Sequence, residues 1–317
     1  MVTGGAGFVG SNLVERLLAY GASVLVVDDF FTGERDSLPG DAPGLDVVEG
    51  TVCDDALVRS ALAGADVVIH AAARNIIVST RNPREDFDVN IGGTLTVLLA
   101  AREAGVGRIV YTSSCSIYGN PRYLPIGEDE PVSLLSPYAV SKFGGEAYCQ
   151  AFYESYGLPT AVVRYSNVYG PGQRPDNPYC GVVGKFLAAA LAGEPPRIHG
   201  DGEQTRDYTY VDDAVEATLL AAVSPKAEGQ VYNVGTGRET SVNQLARTIV
   251  ALSRADLEPE HVDRRDIDNI RRRVVSIEKI RRELRWTPAT TLERGLARTY
   301  AWLREEAPSL AGGGAAS

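Results

Sequence analysis

The chain is 317 residues long, enough for one large domain or two ordinary ones around a substantial core. Its 41 acidic side chains outnumber its 31 basic ones, and a net charge of −10 repels phosphate backbones and anionic lipid, which argues against nucleic acid or a membrane surface as partner. No stretch approaches the ~20 apolar residues of a membrane span, and the opening MVTGGAGFVG lacks the basic flank of a signal peptide, so a cytoplasmic protein is expected. The dispersed Cys53, Cys115, Cys149 and Cys180 and the histidines His70, His199 and His261 show no ligand spacing, so no metal site is expected.

Residues 1–3 lead directly into Thr3-Gly4-Gly5-Ala6-Gly7-Phe8-Val9-Gly10, so the first strand is read as truncated, with the question of residues before Met1 open. Small residues at this spacing let the backbone approach a pyrophosphate, whose charge meets the free amides of the following helix. That helix is predicted over 12–20, where Leu13 pairs with Leu17 and Val14 with Leu18, and it stops at Gly21. A Val-rich strand over 23–28 ends in Asp28, about twenty residues beyond the turn, where a carboxylate holds a ribose 2′-hydroxyl and repels a 2′-phosphate. The pattern points to a dinucleotide, and to NAD over NADP.

Buried strands are predicted over 66–71 (DVVIHA), 108–112 (RIVYT) and 160–164 (TAVVR), with helices over 86–104 and 138–156. This alternation predicts an α/β fold with a doubly wound parallel sheet. After Tyr165 the run YSNVYGPGQRPDNPYCG leaves the sheet. Helices follow over 181–192, 213–223, 242–253 and 277–284, with strands over 208–211 and 230–234. The division read from this is a Rossmann domain over 1–167, with 207–234 returning to its sheet, a smaller α/β substrate lobe over 168–206 and 235–306, and a frayed tail over 307–317.

Tyr138 and Lys142, four residues apart on a predicted helix, share one face. Ser114 lies at a strand end, and ligands of open α/β sheets sit outside the carboxyl ends of strands. A lysine ammonium and a bound nicotinamide cation together lower a tyrosine pKa, giving a phenolate able to take a hydroxyl proton. Spacing alone leaves open an exposed helix pair beside a polar strand end.

Taken together, TGGAGFVG (3–10), VDDFFTG (27–33), HAAA (70–73), YTSSCSIYG (111–119), PYAVSK (137–142), RYSNVYGPGQRP (164–175), RDYTYVDD (206–213) and RDID (265–268) resemble the extended short-chain dehydrogenase/reductases. Within that family they are most similar to nucleotide-sugar 4-epimerases, over nearly the whole chain. The resemblance implies an NAD-dependent isomerase that oxidises a UDP-sugar at C4, lets the 4-keto sugar rotate and re-reduces its other face. It implies cofactor contacts from Gly4, Gly7, Phe8, Val9, Gly10, Asp28, Ala71, Ala72, Asn90, Tyr138, Lys142 and Tyr165, and catalysis by Ser114, Tyr138 and Lys142. Substrate contacts are implied for Ser114, Cys115, Ser116, Tyr138, Asn167, Arg174, Arg206, Arg265 and Asp268, the arginine forks suiting phosphate.

Dehydrating relatives resemble T-D-E-V-Y-G at the strand end, with the Asp and Glu carrying protons. Cys115 and Ser116 stand there in this chain, so elimination lacks its carboxylates. The segment GQRPD (172–176) resembles UDP-glucuronate 4-epimerases, with Arg174 gripping the C5 carboxylate. That makes UDP-glucuronate the favoured substrate, with UDP-glucose and UDP-N-acetylglucosamine open, and a non-catalytic NAD-binding sensor as the reading from another class. The resemblance also implies a homodimer through the helices 86–104 and 138–156, with Leu95, Leu98 and Leu99 open to packing between or within subunits.

Overall fold

The computed structural model describes residues 1–177, 180–254, 256–264 and 270–312, with side chains as far as Glu306. The first half runs β1 (Val2–Thr3), α1 (Phe8–Ala19), β2 (Val24–Asp28), β3 (Leu45–Glu49), α2 (Asp55–Leu62), β4 (Val67–His70), α3 (Ile76–Arg81) and α4 (Pro83–Asp86). A π-helical turn (Phe87–Gly93) leads into α5 (Thr94–Ala104), β5 (Arg108–Ser114), a 3₁₀ turn (Cys115–Tyr118), α6 (Pro137–Tyr156) and β6 (Thr160–Tyr165). There follow β7 (Asn167–Tyr169), α7 (Val182–Leu191), β8 (Arg197–His199), β9 (Thr205–Arg206), β10 (Tyr208–Tyr210), α8 (Val211–Val223) and β11 (Gln230–Val234). The chain ends with β12 (Thr240–Ser241), α9 (Val242–Ser253), β13 (Glu260–Val262), α10 (Glu278–Leu284) and α11 (Leu292–Gly312).

Seven parallel strands form one sheet in the order β11-β6-β5-β4-β1-β2-β3. Because strand residues alternate between faces, Ile109 and Tyr111 pack with Leu62, Leu98 and Phe152 of the helices on one side. Val110 packs with Ala214, Ala217 and Ala221 of α8 on the other. Both faces are therefore covered by helices, the condition under which parallel sheets occur. A separate apolar cluster built from Phe186, Leu187, Leu245, Ile249, Leu296 and Leu303 holds α7, α9 and α11 together away from the sheet.

Several elements were not in the sequence reading, and three of the differences have a plain physical reason. The strand β3 is an edge strand with its side chains half exposed, so its residues lack the continuous apolar run that marked its neighbours. The helix expected over 86–104 is interrupted by the π-turn, where Gly93 packs so closely that a Cβ would lie 2.5 Å from Val52 Cγ2. The expected tail past 306 is helical backbone as far as Gly312, a continuation of α11, whose Leu296, Thr299 and Leu303 are buried at helical spacing. Leu98 is fully buried, and Leu95 and Leu99 pack on the same cluster, so all three serve the subunit core.

Candidate active site

Chain order reverses about β1, and there the strand ends open onto a cleft lined by Gly4, Gly7, Asp28, Gly33, Ala72 and Arg74. Gly4 has φ +68°, and a Cβ on it would lie 2.6 Å from the Ala72 amide nitrogen. A Cβ on Gly10 would lie 2.0 Å from the Gly4 carbonyl oxygen, so glycine alone lets the loop pass between β4 and the first turn of α1. Gly7 caps α1 with no side-chain bond and no acidic residue in the first turn, leaving its amides open to an anion. Phe8 and Val9 open that helix while packing on the core below. Asp28 is buried at the rim, its oxygens accepting from the amides of Ala6 and Phe30, each at 2.8 Å. Burial pushes its pKa up, and those two amides pull it back. The Ala71 amide donates to the Thr3 carbonyl at 3.1 Å, tying the second wall to the first. A glycine cradle, an open helix N-terminus and a rim carboxylate fit a dinucleotide.

The reactive groups stand at the next strand end. Ser136 caps α6 by accepting from the Ala139 amide at 3.1 Å, and Pro137 starts the helix, which sets the exit of Tyr138. Burial pushes the Tyr138 phenol up to about 12, while the neighbouring Ser114 hydroxyl pulls it down. Lys142 is buried, with Nζ 4.8 Å from the centre of the Tyr111 ring. Burial lowers its pKa to about 8, against Glu146 and then Asp86, which favour its charge. Ser114 is thus the neighbour that lowers the phenol, and Lys142, one helical turn further along α6, lies over the Tyr111 ring.

Ser114 Oγ also accepts from the Ser116 amide at 3.2 Å, which forms the 3₁₀ turn. Ser116 Oγ is buried and has no hydrogen-bond partner among the described residues. Cys115, expected at the substrate, faces the core instead: its thiol donates to the Arg164 carbonyl at 3.4 Å, and burial raises its pKa.

Asn90 sits in the π-turn, and its amide works inside the protein. Nδ2 donates to Asp86 Oδ1 at 2.7 Å, the Arg74 carbonyl at 3.0 Å and Ser141 Oγ at 3.1 Å, while Oδ1 accepts from the Arg74 amide. These bonds make the Asn90 side chain a support of the cleft wall. His70, beneath Lys142, has Nδ1 2.6 Å from Thr3 Oγ1 and Nε2 3.0 Å from Thr94 Oγ1, which itself donates to the Asn90 carbonyl. That network assigns the proton to Nε2, and burial, aided by the Lys142 charge, lowers the imidazole pKa to about 3.

The remaining expected residues are spread more widely. Tyr165 turns its phenol to Thr218 Oγ1 on α8, at 2.6 Å, so what it could offer a cofactor is main chain. Asn167 opens β7, its amide donating to the Asp207 carbonyl. Arg206 is buried, its Nη1 donating to the carbonyls of Thr205 and Ile270, each at 2.8 Å. Arg265 and Asp268 lie outside the described residues. Arg174 pairs with Glu34 and with Asp176, the latter at 2.8 Å. With Asn177 Nδ2 donating to the Thr32 carbonyl at 3.2 Å, this ties its loop to the cofactor side. The structure brings Ser114, Ser116, Tyr138 and Lys142 together and takes Arg174 elsewhere.

Residues 1–235 match the model of the NAD dependent epimerase/dehydratase family. The UDP-glucose 4-epimerase of Mycolicibacterium smegmatis is 40% identical over 312 residues, covering 96% of this chain and 98% of that one. The UDP-glucose 4-epimerase of Thermotoga maritima, solved with UDP-glucose, matches with a TM-score of 0.92 at 36% identity, covering 96% of this chain and 98% of that one. The Thermus thermophilus UDP-glucose 4-epimerase complex with NAD matches with a TM-score of 0.87 at 35% identity, over 96% and 98%. With the glycine cradle and the Tyr138–Lys142 pair in place, these matches make the chain an NAD-dependent enzyme that belongs to the NAD dependent epimerase/dehydratase family.

Proposed function

We propose that this chain interconverts the C4 epimers of a UDP-sugar, with UDP-glucose the favoured substrate. The 3₁₀ turn after β5 carries the reading. It sets Ser114 beside Tyr138, and where elimination would need two carboxylates it has a core-facing Cys115 and a short Ser116. Relatives named UDP-glucose 4-epimerases, at 40% and 36% identity, support the same reaction.

Bound NAD supplies the hydride acceptor and donor at the sugar C4, and its nicotinamide cation favours an ionised phenol. Tyr138 takes and returns the C4 hydroxyl proton, with Ser114 donating to the oxygen that is losing it. Lys142 stays mostly protonated at pH 7, since its pKa is about 8, and holds positive charge behind the phenol. Arg206, with Arg265, holds the diphosphate while the keto sugar turns, and Asn167 and Asp268 contact the rest of the sugar nucleotide. In this reading 1–167 and 207–234 carry the cofactor, and 168–206 with 235–306 carry the sugar nucleotide.

The uronate alternative rests on Arg174 as a carboxylate grip. That guanidinium already meets the carboxylates of Glu34 and Asp176, which favours a neutral hexose. The GQRPD segment keeps UDP-glucuronate as the second substrate to try. A homodimer belongs to the same proposal: Phe87, Val140 and Tyr148 are exposed on the π-turn and α6. Light scattering would then give twice the 33.9 kDa chain mass.

The deciding experiment incubates the protein with NAD and, separately, UDP-glucose, UDP-glucuronate and UDP-N-acetylglucosamine, reading products by proton NMR. UDP-galactose from UDP-glucose is the expected result. Conversion of the uronate alone would move the substrate to UDP-glucuronate, while a UDP-pentose or a dehydrated sugar would overturn epimerisation.

A further inference from the structure

We infer that Glu146 is a positioning residue for the Tyr138–Lys142 pair: held by Arg164 and Ser113, its carboxylate ties the end of β5 to α6 and sets a buried negative charge one helical turn beyond Lys142. The inference rests on the roles of Tyr138 and Lys142 proposed above. Tyr138, Lys142 and Glu146 form one i, i+4 series on α6, so their side chains follow one stripe.

The clamp is nearly closed to solvent, with the Arg164 and Glu146 side chains 7% and 4% exposed. Arg164 Nε lies 3.1 Å from both carboxylate oxygens and Nη2 2.7 Å from Oε2, a bidentate fork. Ser113, the residue before Ser114, donates its hydroxyl to Oε1 in a short bond. Arg164 Nη1 continues to Tyr118 Oη at 2.7 Å and the Glu128 carbonyl at 3.1 Å. One buried pair therefore braces β5, β6, α6 and the turn that carries Ser116.

A buried ion pair adds little net stability over an apolar pair of equal volume, so stability alone is a weak reason for this one. Its place explains it better. The groups facing Lys142 are Glu146 and Cys149 on α6, Asp86 on α4, His70 on β4 and Tyr111 on β5. His70 is neutral, and Asp86, whose Oδ1 accepts from Ser79 at 2.5 Å, Asn90 at 2.7 Å and Ser141 at 2.8 Å, is the second carboxylate favouring the ammonium. Glu146 is the carboxylate on Lys142's own stripe and favours the ammonium most strongly.

The chain has four lysines, Lys142, Lys185, Lys226 and Lys279, so ¹³Cε-lysine NMR resolves each titration, with Lys142→Met assigning its signal. Glu146→Gln is expected to lower the Lys142 midpoint by about one pH unit, with the basic limb of kcat moving down alongside it. NAD affinity should stay within about twofold, since this loses one neighbouring charge and no cofactor contact. Glu146→Gln with Arg164→Met, which removes the unpaired guanidinium, is expected to regain thermal stability yet keep the lowered midpoint. A midpoint and limb unmoved in either variant would overturn the inference, as would their full recovery in the double variant. A lowered midpoint in a protein that turns over no UDP-sugar would overturn the proposed reaction and leave this inference standing.

Discussion

Arg174 and Glu34, 140 residues apart in the chain, form an ion pair that joins the GQRPD segment to the loop following β2. The pair is partly exposed, so it is worth about 0.2–1 kcal/mol. Arg174→Ala should lower kcat/KM for UDP-glucose and UDP-glucuronate by the same factor, and should speed release of bound NAD by about 1.5- to 5-fold. Stopped-flow dissociation and steady-state kinetics check both. A loss confined to the uronate would return Arg174 to the sugar.

Tyr138→Phe removes the proton acceptor and keeps the ring. Turnover should fall by about 10²–10⁴-fold, with the same amount of NAD carried through gel filtration as in the unaltered protein. Full activity in this variant would sink the proton route.

His70 gives a pH signature. Its folded pKa of about 3 lies below the ordinary 6.5, so as pH falls the unfolded chain takes up the proton first. The neutral ring's contribution is complete above 6.5 and is lost on the way down to 3. Between pH 7 and 5 that loss is about 2 kcal/mol from this group. Urea unfolding at both values should show a smaller drop for His70→Gln than for the unaltered chain. Equal drops would mean that the ring charges in the folded state.

Gly4→Ala should cost about 1–3 kcal/mol, because a side chain is forced into positive φ against the Ala72 main chain. Calorimetric binding of NAD should be lost with it. Retained affinity would show that the loop can move away from β4.

How much of this was legible depended on the range of the interaction. The helix α9 could be read to the residue, since Val242, Leu245, Ala246 and Ile249 repeat at helical spacing behind the Ser241 cap. Ser114, Tyr138 and Lys142 could be placed together because a strand end and a helix stripe are local patterns. The π-turn was hidden, since apolar spacing continues through it. The partner of Arg174 was hidden for another reason: GQRPD shows what chemistry its side chains can do, and Glu34, far off in the chain, decides which way the guanidinium points. Glu146 left one local trace, as third member of the Tyr138, Lys142 series. Asp86 left none, and His70 none beyond its place in HAAA, because three-dimensional neighbours alone give them their roles.

The position of β11 bears on how the molecule is made. It lies beside β6 in the sheet, yet between these two strands the chain also forms β7 to β10, α7 and α8. On a ribosome, β6 emerges with its outer row of amides and carbonyls bare, and it stays an open edge until Gln230–Val234 arrives. A truncation before residue 230 would thus expose Ala161 to Tyr165 as a sticky strand, and such fragments should aggregate while the whole chain does not.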